Sequence, residues 1–178
     1  MISMNLRTCL CSAFVVLFSA SCFVSAAATR IDPYQKWLDE DVRWIITSSE
    51  RAQFLKLSTD EQKDQFIVAF WDRRNPPGAP ADTFKHEYYR RIAFSNLHFA
   101  AGSPGWETAR GRVYIVYGPP DSIDNTSMEE DGPAKPMQVW RYQHMPGRTD
   151  AAVIRFVDRC ECGNYVRELV PSDKNPLP

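Results

Sequence analysis

The stretch Gly105-Trp106-Glu107-Thr108-Ala109-Arg110-Gly111-Arg112-Val113-Tyr114-Ile115-Val116-Tyr117-Gly118-Pro119-Pro120-Asp121 decides how the fold is read. Residues 112–117 are rich in β-branched and aromatic side chains, which pack well on a pleated surface. Val113, Ile115 and Tyr117 would share one face, and Tyr114 and Val116 the other. With both faces apolar, the run is expected to be a central strand. Gly118-Pro119-Pro120-Asp121 then breaks it. Gly105, Gly111 and Gly118 lack the spacing of a phosphate loop and have no following Lys-Ser/Thr pair. They are expected to serve backbone geometry: a turn before Trp106, a tight bend, and a left-handed residue at Gly118. Trp106 is expected to dock between helices and sheet, as large aromatics usually pack.

Downstream, residues 137–142, 152–157 and 165–169 are three further strand candidates. Met145-Pro146-Gly147 and Cys160-Glu161-Cys162-Gly163-Asn164 are the turns between them. Four strands joined by short turns favour an antiparallel meander. The polar, acidic stretch 124–135 reads as a mobile loop.

Upstream, the apolar pattern has a helical period. Asp32-Pro33 is a helix start, and Tyr34, Trp37, Leu38, Val42, Ile45 and Ile46 form one stripe. A short helical segment spans 49–57. Ser58-Thr59-Asp60-Glu61 opens a third helix as a capping box, with Phe66, Ile67, Phe70 and Trp71 on its apolar face. Three prolines in Asn75-Pro76-Pro77-Gly78-Ala79-Pro80 exclude helix there. A fourth helix is expected over 82–101, with Phe84, Tyr88, Ile92, Leu97 and Ala100 as its stripe, ended by Gly102-Ser103-Pro104-Gly105. The expected fold class is α+β: N-terminal helices (33–101) packed on a roughly four-stranded, mainly antiparallel sheet (112–170), in one domain over 29–178.

Residues 1–28 read as a signal peptide. Arg7 is the one charge, an apolar run follows from Leu10 to Val24, and Ser25-Ala26-Ala27-Ala28 suits cleavage. The run falls short of the about 20 residues of a spanning helix, and no later segment approaches that length, so the mature chain is expected to lack a transmembrane helix. Ala20-Ser21-Cys22 raises a lipid anchor at Cys22 as a second option, with Ser19 a poor fit to it. The expected location is therefore exported: periplasmic or secreted, in some association with the outer membrane if lipidated. Cleavage leaves Cys160 and Cys162, a candidate disulfide in a compartment that permits one.

The chain has 178 residues, is 44% hydrophobic and 24% charged, and carries a net charge of −1. That excludes a disordered chain and a polycationic nucleic-acid binder. His86, His98 and His144 form no metal motif, and no Ser lies in a nucleophile elbow. Two thiols are too few for a tetrahedral zinc site without distant partners, and Asp124, Glu129, Glu130 and Asp131 do not have calcium-loop spacing. No cofactor and no metal is expected. Arg110, Arg112 and Asp121 are the weak binding candidates. With Arg73, Arg74, Arg90 and Arg91, the two arginines would either gather on an anionic ligand or, as expected here, pair internally. Asp121 follows Gly-Pro-Pro and suits an ordinary turn as well as a strand-end site.

The same residues carry a resemblance. Gly105-Trp106-Glu107-Thr108 with Arg110-Gly111-Arg112-Val113-Tyr114-Ile115-Val116-Tyr117-Gly118-Pro119-Pro120-Asp121 resembles the GWxTD domain family of exported bacterial proteins. So do Trp37-Leu38, Trp44-Ile45-Ile46-Thr47, Phe70-Trp71, Tyr89-Arg90-Arg91-Ile92 and Val139-Trp140-Arg141-Tyr142. The similarity extends over about residues 33–170. Ala109 stands where the signature has Asp. The resemblance implies envelope localisation and a fold, and brings no reaction with it. Two classes of function follow. The first is a non-catalytic envelope module that binds another protein or an envelope polymer. The second is an enzyme with a site at the helix–sheet seam around Arg110, Arg112 and Asp121, with Thr108 beside them. They differ in whether those side chains face one pocket or are consumed internally.

Overall fold

The computed structural model describes residues 32–129 and 133–168. The signal peptide, the Cys22 anchor, Glu130, Asp131 and the last residue of the 165–169 strand lie outside the described residues. Five helices precede a four-stranded antiparallel sheet, an α+β arrangement.

The first helical stripe divides where its spacing changes. Asp32 accepts from the Tyr34 N–H and caps α1, Pro33–Lys36. A π-turn, Trp37–Asp41, follows, closed by Val42 N–H donating to the Trp37 carbonyl. It buries Trp37, Leu38 and Val42 together. Helix α2, Ser48–Phe54, opens on a capping box of Thr47 and Glu50. Helix α3, Asp60–Asp72, opens on one made by Thr59 and Gln62, one residue later than the expected Ser58–Glu61 pair. Helix α4 runs Thr83–His98. Its expected stripe is corrected at Leu97, which is 79% exposed, while Tyr88 and the small Ser95 are buried.

The expected strand over 112–117 is corrected. After a 3-10 turn, Gly105–Glu107, residues Ala109–Tyr117 form helix α5. Thr108 caps it by accepting from the Gly111 N–H, and Gly118 ends it with φ of +86° ahead of two prolines. An apolar run buried on nearly all sides has the same pattern in a central strand and in a central helix. Here the ends of the run, a Thr cap and a Gly-Pro stop, are helical signals.

The sheet is a meander of β1 (Ser122–Met128), β2 (Lys135–Tyr142), β3 (Ala152–Val157) and β4 (Val166–Glu168), in the order β1-β2-β3-β4. Its first strand begins two residues before the 124–135 stretch expected to be a mobile loop and runs into it. Strand β1 is polar and exposed, and it is held by pairing Asn125 with Gln138 and its neighbours in register.

Two apolar clusters result. In one, Trp140, Tyr142, Ile154 and Phe156 of the sheet pack against Phe99, Val113 and Tyr114. In the other, Trp37, Phe54, Phe70, Trp71 and Tyr88 of the helices pack with Ile115. Helix α5 contributes to both, Val113 and Tyr114 to the sheet and Ile115 to the helices. It takes the joining role expected of Trp106. No helix among the described residues is long and apolar enough to cross a membrane.

Candidate functional site

The Gly-Trp segment is a backbone-to-backbone contact. A Cβ on Gly105 would lie 1.8 Å from the Ser95 carbonyl oxygen, and one on Gly111 would lie 1.8 Å from the carbonyl oxygen of Gly105. Two glycines therefore let α4, the 3-10 turn and α5 touch main chain to main chain. Thr108 Oγ1 donates to the Gly105 carbonyl at 2.8 Å and accepts from the Gly111 N–H at 3.1 Å. Trp106 is fixed at both backbone polar groups: its N–H donates to Asn96 Oδ1, and its carbonyl accepts from Trp44 Nε1, each at 2.9 Å. The indole is half-buried and packs with the helical cluster beside Trp44. The expected position between helices and sheet is thus corrected to one among the helices. Ala109 is the first residue of α5. The signature Asp would sit in the first turn there, while the cap is Thr108.

The three candidate polar residues have separate surroundings. Arg110 is buried, donates to Gln138 Oε1 (3.3 Å) and the Gly163 carbonyl (3.0 Å), and lies over the rings of Tyr165 and Phe99. Its Nε has no hydrogen-bond partner among the described residues. Burial lowers its pKa, with Tyr165 and Asp158 acting the other way. Asp121 is exposed and accepts from the Gln143 N–H at 2.6 Å, while its own N–H donates to the Arg141 carbonyl. That ties down the open end of the β1–β2 hairpin. Arg112 is different: its guanidinium lies over Trp44 at 4.5 Å and makes no hydrogen bond or ion pair among the described residues. Arg110 and Asp121 are engaged by different elements, so the three do not share a pocket.

Arg73, Arg74, Arg90 and Arg91 of the helical half pair internally. Arg73 and Arg74 both bind Glu50, at 3.1 and 2.7 Å, and Arg90 and Arg91 both bind Glu87, at 2.8 and 2.9 Å. Burial alone would raise the pKa of Glu50. Arg74, the Thr47 N–H and Arg73 outweigh it and bring the value down to about 2. Asp124 is paired with Arg141. His86, His98 and His144 are all exposed; the first two lie at opposite ends of α4 and His144 follows β2. Cys160 and Cys162 are joined by a disulfide. Asp158, buried beneath them, accepts from the Cys162 and Gly163 N–H groups and holds that turn. Its carboxylate and the two sulfurs lie within 4.8 Å of one another, but a disulfide offers a metal no thiolate.

A cavity of about 90 Å³ lies between the π-turn and α4, lined by Lys36, Glu40, Asp41, Ile92, Asn96 and Trp106. Ligand pockets commonly span roughly 300–1,000 Å³, so this one is small for a metabolite. A wider open hollow of about 440 Å³ is bordered by Asp39, Arg43 and Arg51, with Arg51 bound to Asp39.

The fold and this glycine-lined crossing define an α+β module organised around a buried central helix. The chain belongs to the GWxTD domain family, whose model matches residues 28–159. No curated protein and no solved structure matches it.

Proposed function

We propose that the protein is an exported module of the bacterial cell envelope that works by binding another protein or an envelope polymer and does not catalyse a reaction. Arg110 carries this reading. It is the most buried of the three candidate groups, and its donors go to the Gln138 side chain and the Gly163 backbone. A catalytic group needs its polar atoms aimed at a substrate position. Arg110 serves instead to fasten α5 to the sheet and to the turn before β4, and Asp121 fastens a hairpin. The leader at 1–28 supports export, and the periplasm is the location that suits it.

Fractionation of the producing cell, with N-terminal sequencing of the recovered chain, tests export. The expected product lies outside the cytoplasm and begins near Thr29, or at a lipidated Cys22. An intact chain confined to the cytoplasm overturns it. In vivo cross-linking tests binding, and discrete adducts to one envelope component are expected. A reaction lost on Arg110→Lys with the melting temperature retained would restore the enzymatic reading.

A further inference from the structure

The Cys160–Cys162 disulfide stands in the turn between β3 and β4, and both cysteines are exposed. Stabilisation by a cross-link grows with the length of the loop it closes, and this one encloses a single residue, Glu161. The turn is held without it. Asp158 accepts from the N–H groups of Cys162 at 3.2 Å and Gly163 at 2.7 Å, and its carbonyl accepts from the Glu161 N–H. Lys135 binds Glu161 at 2.6 Å, and the Asp158 N–H donates to the Pro136 carbonyl, which ties the turn to β2. A cross-link that adds little to the fold and faces solvent is the kind that exchanges with other thiols.

A buried carboxylate lies against it. Asp158 is 4% exposed, and its Oδ1 is 3.3 Å from Cys160 Sγ. A disulfide sulfur has no proton to donate. A thiol in the same place donates to this oxygen, a charge-assisted bond that only the reduced state can make. The carboxylate therefore favours the dithiol over the disulfide, which makes the disulfide a readier oxidant of other thiols. Glu161, between the cysteines, has φ of +56°, a left-handed backbone that a Glu adopts at a cost. Opening the ring removes one constraint that holds it there.

We infer that Cys160 and Cys162 form a thiol–disulfide exchange site that oxidises a pair of cysteine thiols on another exported protein, with Asp158 as its positioning residue. The first thiolate of that protein attacks Cys162 Sγ. The S–S bond breaks, and its electron pair passes to Cys160 Sγ, beside Asp158. That sulfur takes up the proton the attacking thiol released, and the new S–H donates to Asp158 Oδ1. The second thiolate then attacks its own neighbour's sulfur in the mixed disulfide, and Cys162 leaves with the electron pair and takes the second proton. Two electrons and two protons have moved: one dithiol has become a disulfide, and Cys160–Cys162 a dithiol. The protein is a reactant spent once per exchange, so the inference goes beyond the binding reading. Its location rests on the export reading, and its chemistry does not.

Equilibration of the folded mature chain in oxygen-free mixtures of reduced and oxidised glutathione tests the site. The thiols are then alkylated, and the labels on Cys160 and Cys162 are counted by mass spectrometry. A graded passage from disulfide to dithiol is expected while the chain stays folded. A disulfide that stays closed in every mixture until urea unfolds the chain, or reduction that itself unfolds the chain, overturns the inference. The oxidised chain is also mixed with a reduced two-cysteine peptide. Protein dithiol and peptide disulfide are expected in equal amounts, and a peptide that stays reduced overturns the inference as well. Asp158→Asn is expected to move the half-reduction point about 10-fold towards reduced glutathione, the loss of one charge-assisted hydrogen bond. An unmoved point in a folded variant overturns the part given to Asp158. The two wild-type measurements decide alone if that variant melts below the wild type. Envelope adducts formed by a chain whose disulfide is inert would leave the binding reading standing and this inference overturned.

Discussion

A methyl group at Gly105 or Gly111 has nowhere to go, because the atoms 1.8 Å away are main-chain carbonyl oxygens in neighbouring segments. Gly111→Ala is therefore expected to destabilise the protein by about 3 kcal/mol, the upper part of the overpacking range. Urea denaturation measures it, and a midpoint equal to wild type would contradict the close crossing. Thr108→Ala removes the cap of α5 and is expected to cost about 1–2 kcal/mol. Ala109→Asp restores the family's acidic residue in the first turn, where the helix dipole makes it worth no more than about 1 kcal/mol. These two measurements separate the neighbouring signature positions: one closes a helix end, the other only adjusts its field.

At the scale of elements, α2 and α3 are joined by one carboxylate. Glu50 serves the α2 capping box and binds Arg73 and Arg74 at the end of α3. Its folded pKa of about 2 lies below the ordinary value of 4.5. A depressed acid contributes fully above its unfolded pKa, and the contribution fades as pH falls from about 4.5 towards 2. Full linkage amounts to about 3 kcal/mol, an upper figure for a partly solvated group. Acid titration of stability should show this loss in wild type and lack it in Glu50→Gln, which is already less stable at pH 7. Parallel curves for the two proteins would show that the Arg–Glu cluster does not hold the helices together. The capping pattern at Thr47–Glu50 is visible in the sequence. Its use as a bridge is not, because Arg73 and Arg74 lie more than twenty residues away and only the packed helices bring them there.

Across the whole molecule, α5 joins two apolar clusters into one cooperative unit. Ile115 is 1% exposed within the helical cluster, while Val113 and Tyr114 pack on the sheet. Ile115→Ala is expected to cost roughly 2–5 kcal/mol, as for other buried aliphatic truncations. The loss should appear as one transition with the same midpoint whether unfolding is followed by tryptophan fluorescence or by far-UV dichroism. Separate transitions would mean that α5 does not couple the layers.

The sequence by itself determined the class of fold, the Asp32 cap of α1, the break at the prolines, three of the four strands, and the family. All of these are local patterns of polarity, turn chemistry or motif. Only the tertiary structure decided that 109–117 is a helix, since a run buried on every side loses the periodicity that tells helix from strand. It alone revealed β1, whose polar residues are held by backbone pairing with β2 and carry no apolar alternation. It also separated Arg110 from Arg112. The two are alike and nearly adjacent in the chain, yet a two-residue step of about 200° around the helix directs the first towards the sheet and leaves the second stacked on Trp44.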